Sequence, residues 1–386
     1  NVASVGIYLG NHSTVNTTTI IVTSANGTSS YNKFYNNTTQ NTYRGIYLAG
    51  YAATYPYDFY DQGNEIGRDG ISTNRNQILN FGGLANTSYG VYGIYQNGLK
   101  VFSTYVNNSG GAPAIATLYG IFTSIGNNAN VDIYGDTLIM SSSATASSSL
   151  YAIQNSMGST GAGNTVNIYN NVVDGCSYPT NLGGAFYGVS STASATYTNM
   201  YNNKVNNNSI PGTGAFYGLY YTGSSATLCL AVNIYGNTVS NNTKTGIGGS
   251  FFIISASAST LATNCYNNQL FNNSNSASTG TMYGYYNFGF GYNENIYNNT
   301  IYNNTGGTGQ TVMLSVKSGS GPTNKQVYDN TIYNISGTAA TTAVAGIQIS
   351  YGTIVNIYRN NIYNITNNSA TGGTPAVYGI QADATG

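Results

Sequence analysis

Apolar residues along this chain recur in short segments in which they alternate with polar residues. The clearest segment is an aliphatic residue followed by Tyr and usually by two Asn, as in residues 295–299 (Asn-Ile-Tyr-Asn-Asn). The tyrosines of successive copies are Tyr134, Tyr169, Tyr201, Tyr235, Tyr266, Tyr297, Tyr328 and Tyr358, with spacings of 35, 32, 34, 31, 31, 31 and 30 residues. A repeat of this period is typical of solenoids, propellers and other arrays.

Each repeat contains three short strand signals. The first is the aliphatic-Tyr segment, and the second follows the Asn pair directly, as in residues 300–303 (Thr-Ile-Tyr-Asn). The third follows a variable stretch of Ser, Thr, Gly and Ala and reads Tyr-Gly-aliphatic, as in residues 187–189 and 217–219. Alternation over a few residues is the pattern of a half-buried strand, so the repeat predicts three short strands per turn.

An Asn-Asn link also suits a tight hairpin turn. We expect each strand to pair in parallel with its equivalent in the next copy instead, because the same inward-facing residues recur at a constant spacing. The sequence does not contain the leucine-rich-repeat motif, and a propeller blade needs four strands in about 40 residues. The sequence therefore predicts an all-β parallel β-helix (β-solenoid) of about 11 coils of roughly 31 residues. One inward file is predicted to be Ile168, Met200, Ile234, Cys265, Ile296, Val327 and Ile357.

Asparagine suits the corners between strands. Its side chain tolerates the left-handed backbone conformation, and stacked amides can hydrogen-bond from coil to coil. The predicted structural corner residues are Asn171, Asn203, Asn237, Asn268, Asn299, Asn330 and Asn360. We expect these residues to matter more for stability than a surface charge such as Lys317.

The units that read Asn-Ile-Tyr-Asn-Asn-Thr-Ile-Tyr-Asn resemble the repeats of right-handed parallel β-helices of the pectate-lyase-like superfamily. Their Asn- and Tyr-rich composition is similar to that of large secreted and cell-surface proteins of Bacteroidota. The resemblance implies a right-handed coil. It leaves the function open, because this superfamily includes lyases, hydrolases, tailspikes, adhesins and structural rods.

The repeat predicts a single domain over residues 1–386. Regular coils are expected over 89–386, and degenerate coils over 1–88 with a charged insertion at 58–75. Both ends read like the third strand, and neither carries an amphipathic helix that would cap the core. Uncapped strand edges predict self-association end to end, or continuation within a longer chain.

Charged residues make up only 5% of the chain, with 10 Lys and Arg balancing 10 Asp and Glu. So few cations exclude a basic stripe for nucleic acid, and no apolar run is long enough for a membrane span. No targeting signal is visible in the sequence. Cys176, Cys229 and Cys265 lack metal-site spacing and are interpreted as small buried residues, with a disulfide pair or a metal site as alternatives.

A lyase of this fold needs clustered carboxylates for Ca²⁺ and a basic residue, and a hydrolase needs a carboxylate pair. Several of the ten acids stand at repeat positions that Asn occupies elsewhere, and the hydrolase signatures are missing, so no catalytic residue is assigned. The 58–75 segment offers one candidate Ca²⁺ site, Asp61, Asn64 and Glu65, and a salt-bridged loop is the alternative. No other cofactor is predicted.

Alternation places the tyrosines of the first two strands on the outside. The predicted surface contact residues are Tyr266, Tyr297, Tyr328, Tyr358, Tyr302, Tyr333 and Tyr363. The Tyr of Tyr-Gly-aliphatic shares the aliphatic phase and is expected to face inward or the rim. Exposed aromatic stripes suit sugar stacking or lateral packing of rods, and replacing Tyr297, Tyr328 and Tyr358 by Ser is expected to leave the fold intact.

Two functions therefore remain. The first is a non-enzymatic extracellular rod, either a segment of a large cell-surface adhesin or a self-associating filament subunit that also contacts surface glycans. The second is a carbohydrate-active β-helix enzyme, a polysaccharide lyase or hydrolase. The small number of Asp and Glu residues, and their positions at repeat corners, favour the rod. Sequons such as those at Asn26, Asn86, Asn334 and Asn364 are not separable from composition by sequence alone.

Overall fold

A computed structural model describes residues 4–12, 20–70, 74–83, 86–110, 116–142, 148–159, 163–178, 183–223, 229–257, 259–289, 291–317, 323–369 and 376–383. Three parallel sheets stack as a β-solenoid of about ten turns of roughly 32 residues, which confirms the predicted all-β fold. The described part of the chain has one helical turn, Ala25–Gly27, and no helix there is long and apolar enough to cross a membrane.

Each coil contributes one strand to each of the three sheets. Sheet 1 contains Val5–Gly10, Arg44–Ala49, Ser88–Ile94, Leu118–Ser124, Leu150–Asn155, Phe186–Ser191, Phe216–Tyr221, Phe251–Ala256, Met282–Asn287, Thr311–Val316, Val344–Ser350 and Val377–Asp383. Sheet 2 contains Lys33–Tyr35, Glu65–Gly67, Leu99–Phe102, Val131–Tyr134, Thr165–Tyr169, Tyr197–Tyr201, Ala231–Tyr235, Ala262–Tyr266, Asn293–Tyr297, Asn324–Tyr328 and Ile354–Tyr358. Sheet 3 contains Thr38–Gln40, Gln77–Leu79, Tyr105–Asn107, Thr137–Ile139, Val172–Asp174, Lys204–Asn206, Thr238–Ser240, Gln269–Phe271, Thr300–Tyr302, Thr331–Gly337 and Asn361–Asn367.

Equivalent residues of successive coils lie opposite each other. In sheet 2, for example, Ile168 pairs with Met200 while Tyr169 pairs with Tyr201. Because side chains alternate along a strand, the aliphatic residue points inward and the tyrosine outward. The predicted core file is confirmed, since its members are buried and Ile357 in the last coil of sheet 2 is partly buried. The three cysteines are free and buried, as the small-residue interpretation predicts.

The third strand departs from simple alternation. In Phe216–Tyr221 both Gly218 and Leu219 are buried, whereas Tyr217 is only partly buried. Two successive inward residues break the period of two, so the tyrosine before the glycine points outward. The expectation that these tyrosines share the aliphatic phase is therefore wrong. At Gly188 the neighbouring coil passes so close that a Cβ would lie 2.6 Å from the Gly218 carbonyl oxygen.

The charged segment at 58–75, predicted to be an insertion, supplies strands to the solenoid. Glu65–Gly67 lies between the first and third strands of sheet 2. Asp61–Gln62 forms a separate parallel pair with Gln96–Asn97. The sequence of this coil does not show the usual alternation of apolar and polar residues, because its inward residues Asp61 and Asn64 are polar.

The predicted corner asparagines form a continuous ladder inside the solenoid, named here the first inner ladder. Asn268 Nδ2 donates to Asn299 Oδ1 at 2.9 Å in the next coil and to the Ile234 carbonyl at 3.0 Å in the preceding coil. The Asn268 main-chain N–H also donates to Asn299 Oδ1, at 3.1 Å. The same pattern runs from Asn171 to Asn360, so each buried amide in this file is satisfied by its own equivalent.

The turn conformation belongs to the residue before each ladder asparagine. Asn298 has φ of +54°, and the equivalent Asp329 and Arg359 have φ of +55° and +53°. The expectation that Asn299, Asn330 and Asn360 themselves adopt the left-handed conformation is therefore wrong. The two properties expected of one asparagine are divided between neighbours: the first makes the turn and the second makes the ladder.

A second inner ladder lies at the corner after sheet 3. Asn208, Asn242, Asn273 and Asn304 are joined by Nδ2–Oδ1 hydrogen bonds of 2.8, 2.9 and 3.0 Å. This ladder was not predicted from the sequence. Its signal is an Asn-Asn pair five residues after the Asn-Asn or Gly-Asn pair of the first corner.

Two charged residues occupy an inward position that holds Val or Thr in the preceding coils. Glu294 and Lys325 lie opposite each other on adjacent strands, in the file that contains Val166, Thr198, Val232 and Thr263, and both are fully buried. Glu294 Oε1 accepts hydrogen bonds from Tyr285 and Asn287, at 2.7 and 3.0 Å. Burial lowers the pKa of Lys325, and the charge of Glu294 opposes that shift.

Lys325 Nζ also donates to the carbonyl oxygens of Ser350 at 2.7 Å and Val316 at 3.3 Å. Hydrogen bonds therefore accompany the electrostatic attraction for both charges. Removing either charge leaves the other buried without this attraction, so we expect it to destabilise the fold.

Asp136 occupies a position of the first inner ladder with a carboxyl group in place of the amide. Its Oδ1 accepts the Thr104 N–H at 2.7 Å, but its Oδ2, where the other coils have a donating Nδ2, has no hydrogen-bond partner among the described residues. Burial raises the pKa of Asp136 well above its ordinary value, although hydrogen bonds from Thr104 and the charge of Arg75 act in the opposite direction. Below this raised pKa, a proton on Oδ2 would supply the donor that the amide provides elsewhere.

We predict that Asp136→Asn stabilises the protein at neutral pH by about 1–3 kcal/mol, the cost of an unsatisfied buried polar group. Because the folded-state pKa is raised, the contribution of Asp136 is full below the unfolded-state pKa of about 3.9 and falls as pH rises toward the folded-state value. The gain should therefore shrink toward pH 4. Denaturant unfolding across this pH range measures it.

The matched control is Asp329→Asn at the exposed corner. Hydrogen bonds from Arg359 lower the pKa of Asp329, so its contribution is present at neutral pH and is lost as pH falls. The pH dependence of this control should have the opposite sign. A gain from Asp136→Asn that does not change with pH would contradict the protonated ladder position.

Candidate functional site: outward stacks of tyrosine and ladders of asparagine

The outer face of sheet 2 carries an uninterrupted stack of nine aromatic rings. Successive ring centroids are 4.7–5.1 Å apart and the ring planes differ by 2–6°. The sheet-2 stack consists of Phe102, Tyr134, Tyr169, Tyr201, Tyr235, Tyr266, Tyr297, Tyr328 and Tyr358. The predicted outward position of the last four is what the structure shows.

Ring faces in this stack are turned toward the neighbouring rings. Tyr297 lies 4.9 Å from both Tyr266 and Tyr328, with planes only 2° apart. Such offset stacking covers both faces of every ring inside the stack. The surface therefore presents ring edges and hydroxyl groups rather than faces. Sugar stacking on open faces is possible only at the stack ends, so lateral contact suits this surface better.

Two further stacks follow the other sheets. On sheet 3, the predicted contact residues Tyr302, Tyr333 and Tyr363 extend from Phe271, with centroid distances of 4.8–5.1 Å. On sheet 1, the outward stack consists of Tyr89, Tyr119, Tyr151, Tyr187, Tyr217, Phe252 and Tyr283. Burial raises the pKa of Tyr217 in this stack to about 12, so its hydroxyl stays protonated at neutral pH.

An outer amide ladder runs beside the sheet-2 stack. Asn295 Nδ2 donates to Asn264 Oδ1 at 2.8 Å, and Asn264 donates in the same way to Asn233. The ladder begins at Asp132, whose carboxylate accepts from Asn167 at 2.8 Å. Each amide keeps further hydrogen-bonding capacity, because a primary amide has two donors and two acceptor lone pairs. The face thus combines a column of rings with a column of amides.

The candidate Ca²⁺ residues do not come together as predicted. Asp61 and Asn64 point inward and both bond to Gln96, with Asp61 Oδ1 also accepting from the Ser29 N–H at 2.9 Å. Glu65 points outward, where it bonds to Tyr35 and lies 3.3 Å from Lys100 Nζ. Consecutive residues of a strand face opposite sides, which separates Glu65 from Asn64.

Other acids also have structural partners. Glu294 and Asp136 are inside the core, Asp174 accepts from Asn207 at 2.7 Å, and Asp329 pairs with Arg359 at 2.6 Å. Within the described ranges no group of three or more His, Cys, Asp or Glu residues is placed to hold a metal ion.

No family model, curated protein or solved structure matches this chain.

We predict that Tyr297→Ser lowers the free energy of unfolding by about 1–3 kcal/mol, because it removes two ring contacts worth about 0.5–1.5 kcal/mol each. This differs from the expectation that Ser replacements leave the fold intact. Tyr297→Phe is the control, since it keeps the ring and removes only the hydroxyl. Equal losses for Ser and Phe in denaturant unfolding would show that the stack does not contribute.

Proposed function

We propose that the protein is a non-enzymatic structural rod whose flat outer faces associate laterally with other copies. The observation that supports this proposal best is the sheet-2 face, where the nine-ring stack runs from Phe102 to Tyr358 and the outer amide ladder runs beside it from Asp132 to Asn295. The face is long and regular, and its outward positions are uncharged from Thr165 onward, whereas the four strands before that carry Lys33, Glu65, Lys100 and Asp132. These properties suit repeated contact with an extended partner rather than recognition of a small substrate.

A second copy is the partner that fits this periodicity. Two copies share one repeat, so a contact made at one coil recurs at all the others, whereas a partner of another period falls out of register. A face of about ten coils at about 4.8 Å and strands of about 16 Å gives about 750 Å². Two such faces bury about 1,500 Å², the size of a standard specific interface.

End-to-end contact is a second element of the proposal. Each sheet continues from coil to coil by the same parallel pairing. Strand edges with apolar neighbours pair readily with further strands, either of another copy or of a continuing chain. Lateral and axial contacts together give a filament or a surface fibre.

The biological setting is proposed on the resemblance of the repeats. The Asn-Ile-Tyr-Asn-Asn units suggest a right-handed β-helix of the pectate-lyase-like superfamily, of the kind found in large surface proteins of Bacteroidota. We place the rod outside the cell or on its surface, as a segment of an adhesin or as a filament subunit. Contact with surface glycans would then use amides and hydroxyls rather than ring faces.

We predict that Asn264→Asp with Asn295→Asp abolishes lateral association at low salt. The outer ladder accepts a carboxylate, as Asp132 shows, but like charges on two facing copies repel each other. High salt should restore association, because exposed charges are screened. Sedimentation velocity and electron microscopy measure the effect.

The matched control is Asn272→Asp with Asn303→Asp, which adds the same charges at an exposed corner away from the sheet-2 face. It should associate like the wild type. A wild-type protein that stays monomeric at high concentration, or two variants that behave alike, would contradict the proposed interface.

A further inference from the structure

Six successive coils place an Asn-x-Ser/Thr triplet at one position of the solenoid, the corner after sheet 3. The asparagines, named here the corner ladder, are Asn207, Asn241, Asn272, Asn303, Asn334 and Asn364. Two residues after them stand Ser209, Thr243, Ser274, Thr305, Ser336 and Thr366. All six asparagines are exposed and have φ of +53° to +56°, so each lies at the tip of a left-handed turn.

The other corner of the same coils serves as an internal comparison. Its turn residues are Asn202, Gly236, Asn267, Asn298, Asp329 and Arg359, which also have positive φ. Each of them precedes an asparagine of the first inner ladder, as the first four corner-ladder residues precede one of the second. Only Asn298 among these six begins an Asn-x-Ser/Thr triplet. A left-handed turn followed by an inward asparagine therefore does not require a hydroxyl two residues later.

The hydroxyls at the corner after sheet 3 share no single structural contact. Ser336 Oγ donates to Thr305 Oγ1 at 3.2 Å, whereas Thr366 Oγ1 donates to the Ile335 carbonyl at 3.4 Å. Ser274 Oγ bonds instead to Ser276 within its own coil. Their backbones pair in register from coil to coil, in a file that also contains Ser177. The six residues differ from Ser177 in having an exposed asparagine amide two residues before them.

The amides of the corner ladder use one of their two N–H groups. Nδ2 of Asn303, Asn334 and Asn364 donates to Oδ1 of the preceding member at 3.2, 3.0 and 3.0 Å. In such a row of amide hydrogen bonds, the donating N–H is the one anti to the C=O bond of the same amide. A trans secondary amide retains that N–H, as a peptide does. A substituent on Nδ2 therefore leaves the ladder hydrogen bond in place.

We propose that the corner ladder is an N-glycosylation array, modified by a transferase that reads the Asn-x-Ser/Thr triplet. The co-substrate is a glycosyl diphosphate. Nδ2 attacks the anomeric carbon of the sugar and a C–N bond forms. The bond from that carbon to the diphosphate oxygen breaks, the diphosphate leaves with the electron pair, and a base of the transferase takes the proton from Nδ2.

The coil spacing limits the product. Neighbouring corner asparagines lie about 4.8 Å apart, the separation of paired strands, which leaves little room for bulky chains on every coil. A nucleotide-linked donor would add single sugars to adjacent coils. A lipid-linked donor would transfer a preassembled oligosaccharide, which fits on alternate coils.

Mass spectrometry of the protein isolated from its native cells tests this proposal. Amidase release in ¹⁸O-water converts each glycosylated Asn to labelled Asp, and electron-transfer fragmentation assigns the positions. We expect sugar at several of Asn272, Asn303, Asn334 and Asn364, and the added mass identifies the donor as nucleotide- or lipid-linked. Six unmodified corner asparagines in the native protein would overturn the proposal.

A hydroxyl-deletion variant gives the control. Ser274→Ala, Thr305→Ala and Ser336→Ala together should remove sugar from Asn272, Asn303 and Asn334, with only a small decrease in the unfolding midpoint from the hydroxyl hydrogen bonds that are lost. Thr300→Ala with Thr331→Ala at the other corner should leave that sugar unchanged. Sugar that persists on the three asparagines after loss of the hydroxyls would also overturn the proposal.

Discussion

In-register stacking of parallel coils is the constraint on which the rest of this structure depends. Strands about 4.8 Å apart bring each side chain against its equivalent in the coils above and below. A buried polar residue is then satisfied if its equivalent can both donate and accept, as the asparagine amide does. An outward aromatic residue finds a stacking partner on each side. The inner ladders and the tyrosine stacks follow from the same geometry.

The constraint also identifies where the repeat is under strain. Asp136 cannot donate as an amide does unless it is protonated, and Glu294 and Lys325 place two buried charges in a file of Val and Thr. The Thr104 N–H that Asp136 accepts belongs to the repeated ladder pattern, whereas Glu294 depends on a neighbour outside it, Tyr285. The buried charges therefore require local hydrogen bonds, whereas the regular coils need only one another.

The period and the alternation of the sequence predicted the three sheets, the core file and the outward tyrosines of sheets 2 and 3, because one repeated contact determines each of them. The orientation of Tyr217 was wrong, since two successive inward residues cannot be read from alternation. The role of Asn299 was only half right, because the left-handed turn falls on Asn298. Glu65 was assigned to the metal site because it is adjacent to Asn64 in the sequence. Adjacent residues of a strand point to opposite faces of the sheet, which separates the two side chains.

A double-mutant cycle between Asn268 and Asn299 tests the central claim most directly. If the first inner ladder joins adjacent coils, the Ala substitutions should be coupled by at least about 0.5 kcal/mol in denaturant unfolding, as for residues in direct contact. The pair Asn171 and Asn299, which lies in the same ladder but does not share a hydrogen bond, should be additive. Additive behaviour of Asn268 and Asn299 would contradict a structure held together by its ladders.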